Sequence, residues 1–345
     1  MFLLPGNGIK VLGYVFSSLE QAYTYCKCFI TGNLRVANTI KDTADPFACK
    51  RLAKARNLTH FQQNKWDLMK FLIMEGLIFS KFVLDQEMRV HLVDTGNAYL
   101  VEANPYDKDF GAGCDKGQVL RLIRSGLHLP GQNRLGKILM MTRSFIRGSF
   151  SFHQVLLITD SQGRYFPFSP AVRKVVIPGA KIQTLIKVAR VATHGGYKAC
   201  VVFGGTNNLP RRRGLLAPDG GHQPRRAKEV IKQFQRQIPL FCQEKPHCPF
   251  FICEIPPRLC DDSVSSKYGK SKMQRELVKV NKMVGKIVKK ISAGGPSVQV
   301  IKLYTLMQQP NLFGSINGRP DLHVNSQGGR LIMNEILKSV KSLDK

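Results

Sequence analysis

The chain has 345 residues, 43% of them hydrophobic, which allows two domains with separate cores and excludes wholesale disorder. Its formal net charge of +29 is unevenly placed: residues 1–150 hold 20 basic against 12 acidic side chains (+8), the remainder 32 against 11 (+21). Such an excess points to a polyanionic partner, most simply nucleic acid, or to a solvated basic surface, and no apolar run reaches the length that spans a bilayer.

The nine cysteines lie mostly inside apolar periodic segments, as Cys26 and Cys28 do, which fits reduced thiols better than a disulfide framework. Cys242, His247, Cys248, Cys253 and Cys260 are close in sequence, but their spacings match no zinc template, and neither a metal nor another cofactor is expected. Met1 to Gly6 lacks the cationic start and cleavage pattern of a secretory signal. The protein is therefore expected in the cytoplasm or nucleus.

In chain order, Ile9 to Phe16 predicts a short strand, and Ser17-Ser18 an N-cap for a helix from Leu19 to about Ile30. Leu19, Ala22, Tyr23, Cys26, Phe29 and Ile30 give that helix an apolar face. Glu20, Thr24 and Lys27 fall on a neighbouring stripe, with Glu20 in the first turn where the helix dipole favours a carboxylate. Asp45-Pro46 starts a short basic helix, Phe47 to Ala55. Trp66 to Asp85 predicts a long amphipathic helix with Leu68, Met69, Leu72, Ile73, Leu77, Phe79 and Phe82 in its core stripe, and Val90 to Thr95 closes that unit.

Residues 100–113 then run through Glu102, Asp107 and Asp109 into Gly111-Ala112-Gly113. Acids beside bare backbone suit a phosphorylated or ribosylated ligand, and equally an ordinary Asp/Gly turn. Helices follow over Gln118 to Leu127 and Lys137 to Ile146. Arg134 and Arg143 are candidates to meet phosphates, or are simply solvated on a helix face.

Taken together, Ser18 to Tyr23, Trp66, Lys81-Phe82, Thr95-Gly96, Leu100 to Glu102, Asp107 with Phe110-Gly111, and Gly131 to Gly136 through Leu139-Met140 and Arg143 resemble the NADAR (YbiA-like) family over about residues 8–147. The resemblance implies a mainly helical domain that hydrolyses N-glycosidic bonds in ribosylamino intermediates or in ADP-ribosylated guanine of nucleic acid. It implies Glu20 as general acid/base, Lys27 as a nucleophile toward the sugar, and Asp107 as a binder of ribose hydroxyls or of water. Trp66 and Phe110 would stack or pack against the base, with Gly111, Asn133, Arg134 and Arg143 also binding substrate. Gln21 stands where the family commonly has His, and Phe110 where it commonly has Trp. The chain is expected to start too late to include the family's Phe-Ser-Asn-like ligand contact.

From 148–152, a linker, the period changes. Short apolar runs at Gln154–Thr159, Arg173–Ile177, Ala199–Phe203, Pro249–Ile255 and Val298–Leu303 predict strands. Helical patterns occupy Lys181–Thr193, Arg226–Cys242, Lys272–Ile291 and Ser326–Val340. The expected fold is thus a mainly α-helical domain over 1–147, followed over 153–345 by an α/β doubly wound, flavodoxin-like domain with a five-stranded parallel sheet.

Ligands of such sheets bind at the strands' carboxyl ends, where this sequence places Asp160-Ser161, Pro178-Gly179, Gly204 to Asn208, and Asp321-Leu322-His323. A Ser, a Gly, an Asn and a His at successive exits resemble the SGNH (GDSL-like) hydrolase superfamily. The resemblance implies Ser161 as nucleophile, His323 as base, and an oxyanion hole from Ser161, Gly179 and Asn207. The family's orienting Asp lies three residues before the His, where this chain has Pro320; Asp321 is the nearest carboxylate. Between the third strand and its helix, Arg211, Arg212, Arg213, Arg225 and Arg226 form a basic insertion, either a path for nucleic-acid phosphates or a solvated loop. Three functions follow: an N-glycosidase carrying an SGNH-like domain, an esterase or deacylase using Ser161 and His323, or a non-catalytic nucleic-acid adaptor.

Overall fold

In the computed structural model, which describes residues 8–54, 58–148, 154–208, 224–257, 267–293, 297–316 and 319–344, the chain groups into two units. One comprises Met1–His60 and Lys70–Phe152, the other Phe61–Met69 and His153–Lys345. Among the described residues no helix is long and apolar enough to cross a membrane.

The first unit is helix-rich, as expected. It opens not on one strand but on a hairpin, β1 (Ile9–Val11) against β2 (Tyr14–Phe16), because Leu12 and Gly13 both take positive φ (53° and 81°) and reverse the chain in two residues. Ser18 caps α1 (Leu19–Thr31) by accepting from the Gln21 amide, and Gly32 ends it at φ 91°. The short α2 (Leu34–Lys41) was not foreseen: its eight residues are too few to declare a period. Then come α3 (Pro46–Lys54), α4 (His60–Leu84), α5 (Gln86–Asp94), α6 (Lys116–Arg124) and α7 (Arg134–Ile146).

Helix α4 begins well before Trp66, and its core stripe needs one correction. Met69, Leu72, Ile73 and Leu77 are buried, whereas Leu68 is 50% exposed. Leu68 lies two residues from Trp66, hence across the helix from the buried face of those first turns.

The second unit is built on a parallel sheet of β3 (Val155–Thr159), β4 (Val172–Val176), β5 (Ala199–Phe203), β6 (Phe250–Cys253) and β7 (Val298–Ile301), in the order β4-β3-β5-β6-β7. This is the flavodoxin-like order. The central strands are continuous apolar runs because helices cover both faces. Helices α8 (Ile182–Ala192), α9 (Pro224–Glu244) and α10 (Lys267–Ser292) pack side by side, while α11 (Ser326–Lys341) shares a separate core with Phe166, Phe203, Ile301 and Leu303. A hairpin the sequence reading did not contain, β8 (Phe313–Ile316) with β9 (Arg319–Val324), follows the fifth strand and carries His323.

Buried Arg190 joins α8 to α9. Its guanidinium pairs with Glu244 at 2.5 and 2.8 Å and donates to Gln237. A buried charge left alone costs more than the pair contributes. Arg190→Ala is therefore expected to destabilise the protein by about 3–5 kcal/mol. The double substitution Arg190→Met with Glu244→Met should cost clearly less. Urea titration of the three proteins checks this ordering.

Candidate active sites

Helix α1 carries the first group of expected site residues. Glu20, Tyr23 and Lys27 fall at i, i+3 and i+7, so they share one face, and all three are half-buried. The Thr24 hydroxyl donates to the Glu20 carbonyl at 2.6 Å and lies 3.3 Å from its Oε1, steadying the carboxyl's first turn. Glu20 also acts on α3. Burial, followed by Asp45 and then Glu20, raises the pKa of the Cys49 thiol.

Gln21 has a different task. Its Oε1 accepts from the Ser17 amide and hydroxyl, and its Nε2 donates to the carbonyls of Ile40, Lys41 and Thr43. The side chain is buried and clamps the start of α1 to the end of α2. The residue that replaces the family's usual His is therefore a structural fastener.

The loop 100–113 meets α7 along a backbone seam. Amides of Gly131, Gln132, Asn133 and Leu135 donate to the carbonyls of Ala112, Lys108, Gly111 and Phe110 at 2.7–3.0 Å. These bonds satisfy amides that a helix start would otherwise leave open. Asn133, in the left-handed region and wholly buried, accepts from the Glu102 amide and donates to the Leu100 carbonyl. A Cβ on Gly131 would collide with the Gly111 carbonyl, and one on Gly136 with the Leu100 carbonyl. A Cβ on Gly111 would crowd the Asp107 carbonyl. The bare backbone read in the sequence as room for a ligand is thus filled by the chain's own backbone.

Other expected binders are committed in the same way. Arg143 is buried and donates to Thr95 Oγ1 and the Ala98 carbonyl. Asp107 turns the loop by accepting from the Asp109 and Phe110 amides. Trp66 is buried in the part of α4 that groups with the second unit.

Phe110 is where the pieces of the first unit meet. Its ring lies edge-on to Tyr23 at 5.8 Å and 5.0 Å from Phe71 of α4. Arg134 lays its guanidinium 3.6 Å from the Phe71 centroid, and Lys70 pairs with Asp109 at 2.5 Å. The structure thus gathers α1, α4, the acidic loop and α7 around Tyr23, Phe71, Phe110 and Arg134. Sequence reasoning missed Tyr23, Lys70 and Phe71 as site neighbours, since they looked like ordinary core or surface positions. It also gave no role to Lys81, whose pKa burial lowers against a smaller opposing effect of Asp85.

In the second unit, β3 delivers Ser161 to a 3-10 turn (Ser161–Tyr165), and the His323 Nε2 on β9 lies 3.0 Å from the Ser161 Oγ. Two braces flank that pair. Gln162 Oε1 accepts from the Val324 amide, fixing β9 against the turn. The fully buried Asp160 accepts from the Gln162 amide and from Asn207 Nδ2, and Asn207 Nδ2 also donates to the Ala180 carbonyl. The exits of β3, β4 and β5 are thereby tied together.

This geometry bears on the expected oxyanion hole. Asn207 directs its side-chain amide at Asp160 and Ala180, since a buried carboxylate is the stronger acceptor at hand. Gly179 takes φ 68°, which glycine adopts freely. Thr159 is accommodated by a glycine: a Cβ on Gly163 would strike the Thr159 side chain. Asp321 lies in β9 two residues before His323, and its side chain falls outside the described residues. So do Arg211, Arg212 and Arg213 entirely, and the side chains of Arg225 and Arg226 in the first turn of α9. Among the described residues no three His, Cys, Asp or Glu are grouped to hold a metal ion. Cys242, Cys248 and Cys253 are buried, and burial pushes the Cys248 thiol up to about 12.

The Gln21 clamp generates an expectation of its own. Gln21→Leu should remove every side-chain hydrogen bond at the joint and lower stability by about 1–3 kcal/mol. Denaturation monitored by circular dichroism measures it; an unchanged midpoint would contradict the fastening role.

Comparison with known proteins adds the following. Residues 5–147 match the model of the NADAR domain family. The chain is 31% identical over 137 residues to an N-glycosidase of Acanthamoeba polyphaga mimivirus, covering 40% of this chain and 77% of that protein. It is 28% identical over 145 residues to an N-glycosidase of Nostoc punctiforme, covering 42% and 83%. Among solved structures it is similar to a lipase/acylhydrolase from Enterococcus faecalis, with TM-score 0.36, 17% identity, and coverage of 55% of this chain and 96% of that one.

Proposed function

Because residues 5–147 of this chain belong to the NADAR family, we propose that it is an N-glycosidase, its first unit hydrolysing the N-glycosidic bond of an ADP-ribosylated base or a ribosylamino intermediate. The observation that carries this reading is the family match joined to the placement of Glu20 and Lys27 on either side of Tyr23, on the face of α1 that meets Phe110. Cleavage passes through a cationic, oxocarbenium-like sugar. A half-buried carboxylate at Glu20 stabilises that charge more than one in bulk water would.

Protonated Glu20 first gives its proton to the departing nitrogen as the carbon–nitrogen bond breaks. The carboxylate left behind faces the cationic sugar and then takes a proton from the water whose oxygen bonds the anomeric carbon, which restores the acid. Lys27, two turns along, is the candidate nucleophile for the sugar's open form. Asp107 supports the reading through the loop it turns, which sets Phe110 as a platform for the base. Asn133 and Arg143 contribute by holding that loop to α7 and to the segment after α5.

The test is base release from DNA carrying ADP-ribosylated guanine. Glu20→Gln is expected to lower the rate about 100-fold or more, in the range of general acid–base effects. Equal release by the folded variant and the unsubstituted protein would refute the assignment.

A second reading concerns the other unit. The 3.0 Å approach of His323 Nε2 to Ser161 Oγ favours a serine hydrolase acting on esters or acyl groups, in the manner of SGNH enzymes. In that reading His323 takes the hydroxyl proton as Oγ attacks the acyl carbon and passes it to the leaving alcohol as the ester bond breaks. Water, deprotonated by His323, then frees the acyl group and restores the Ser161 hydroxyl, while Asp160 with Asn207 keeps the strand exits in register. A fluorophosphonate probe is expected to label Ser161 in the full chain, and Ser161→Ala to abolish the label. Well-folded protein that stays unlabelled would count against it.

A further inference from the structure

The outward side of α10 is a straight basic ridge. Arg275, Lys279, Lys282, Lys286 and Lys289 are all exposed and recur at steps of four, three, four and three residues. At 100° per residue these positions stay on one side of the helix, and their span is about 21 Å along the axis. The opposite side, Leu277, Val280, Val284 and Val288, is buried against the rest of the second unit. No carboxylate falls within the ridge, and among the described residues none pairs with Lys279, Lys282, Lys286 or Lys289. Helix α9, packed alongside, shows Lys228, Lys232 and Arg236 exposed on its own outward side, with Glu229 as the nearest acid.

The geometry points to a nucleic-acid backbone lying along α10, held by its phosphates and without base readout. A rigid row of cations matches a polymer that carries one charge per about 3.4 Å of each strand. Phosphate contacts need only charge and hydrogen-bond donors, and positioning on nucleic acid comes from such contacts. An acidic protein partner fits less well, because its interface needs aromatic or aliphatic anchors. Val278 is the one large apolar side chain exposed among the described residues of α10. Insertion of α10 into a lipid surface is disfavoured by the same fact, since its apolar side is already used in the fold. The ridge lies apart in sequence from the basic insertion 211–226 and from both candidate catalytic pairs, so it stands or falls independently of either activity.

The experiment is fluorescence anisotropy with the full chain and a labelled 30-base-pair DNA duplex, titrated at several salt concentrations. Two fourfold variants with equal charge change are compared: Lys279, Lys282, Lys286 and Lys289 to Gln, and, in the first unit, Lys10, Lys50, Lys54 and Lys116 to Gln. The ridge variant is expected to bind at least tenfold more weakly at low salt and the control less than threefold. The slope of log affinity against log salt should flatten by about 3–4 in the ridge variant, one phosphate contact contributing about 0.9. Circular dichroism confirms that each variant is folded. Equal losses in the two variants, binding insensitive to salt, or equal affinity for polyglutamate or for anionic vesicles would overturn the proposal.

Discussion

The seam between residues 108–112 and 131–135 is the contact on which the first unit's site rests. Backbone donors at the start of α7 find backbone acceptors in the acidic loop, and glycines at 111, 131 and 136 let the two segments come close enough to bond. Asn133 adds its side chain to the same joint. With the seam closed, Phe110 lies against Tyr23 and Phe71, and Arg134 lies over Phe71. Asn133 and Arg143, which resemble ligand contacts when read along the sequence, also tie backbone segments together. A side chain can matter to a site by fixing backbone as much as by touching substrate.

The second unit solves the same problem with side chains in place of backbone. Parallel strands end at one edge of a sheet, yet nothing in a parallel sheet keeps their exits in a fixed arrangement beyond the last ladder bond. Asp160 supplies that restraint, because a buried carboxylate must collect donors and Gln162 and Asn207 are among them. Gly204 leaves room for it; a Cβ there would press on Leu185 and on the Asp160 carboxylate.

Much of this was legible before any coordinates. Runs such as Ala199–Phe203 state their own identity, since five apolar residues between polar turns fit only a strand covered on both faces. Ser18 announced α1, and alternation of strands with helices announced the parallel sheet. What stayed hidden was carried by tertiary partners. Hairpin β8–β9 contains Pro320, Asp321 and few apolar residues, so local preference argues against a strand there, and only pairing with residues 313–316 makes one. Gln21 looked like a loss of the family's usual residue because its acceptors lie about twenty residues away in sequence. Arg143 read equally as a solvated position on a helix face, yet it is buried beneath the segment it binds.

The brace between Gln162 and the Val324 amide joins positions 162 residues apart, beside the Ser161 hydroxyl and the His323 imidazole, separated by the same stretch of chain. Contacts across so long a stretch are slow to form, because the entropy of closing the chain is paid before the contact rewards it. A half-assembled chain therefore carries that serine without the imidazole beside it. Their meeting registers the assembly of the whole sheet, since positions so distant along the chain adjoin only through its topology.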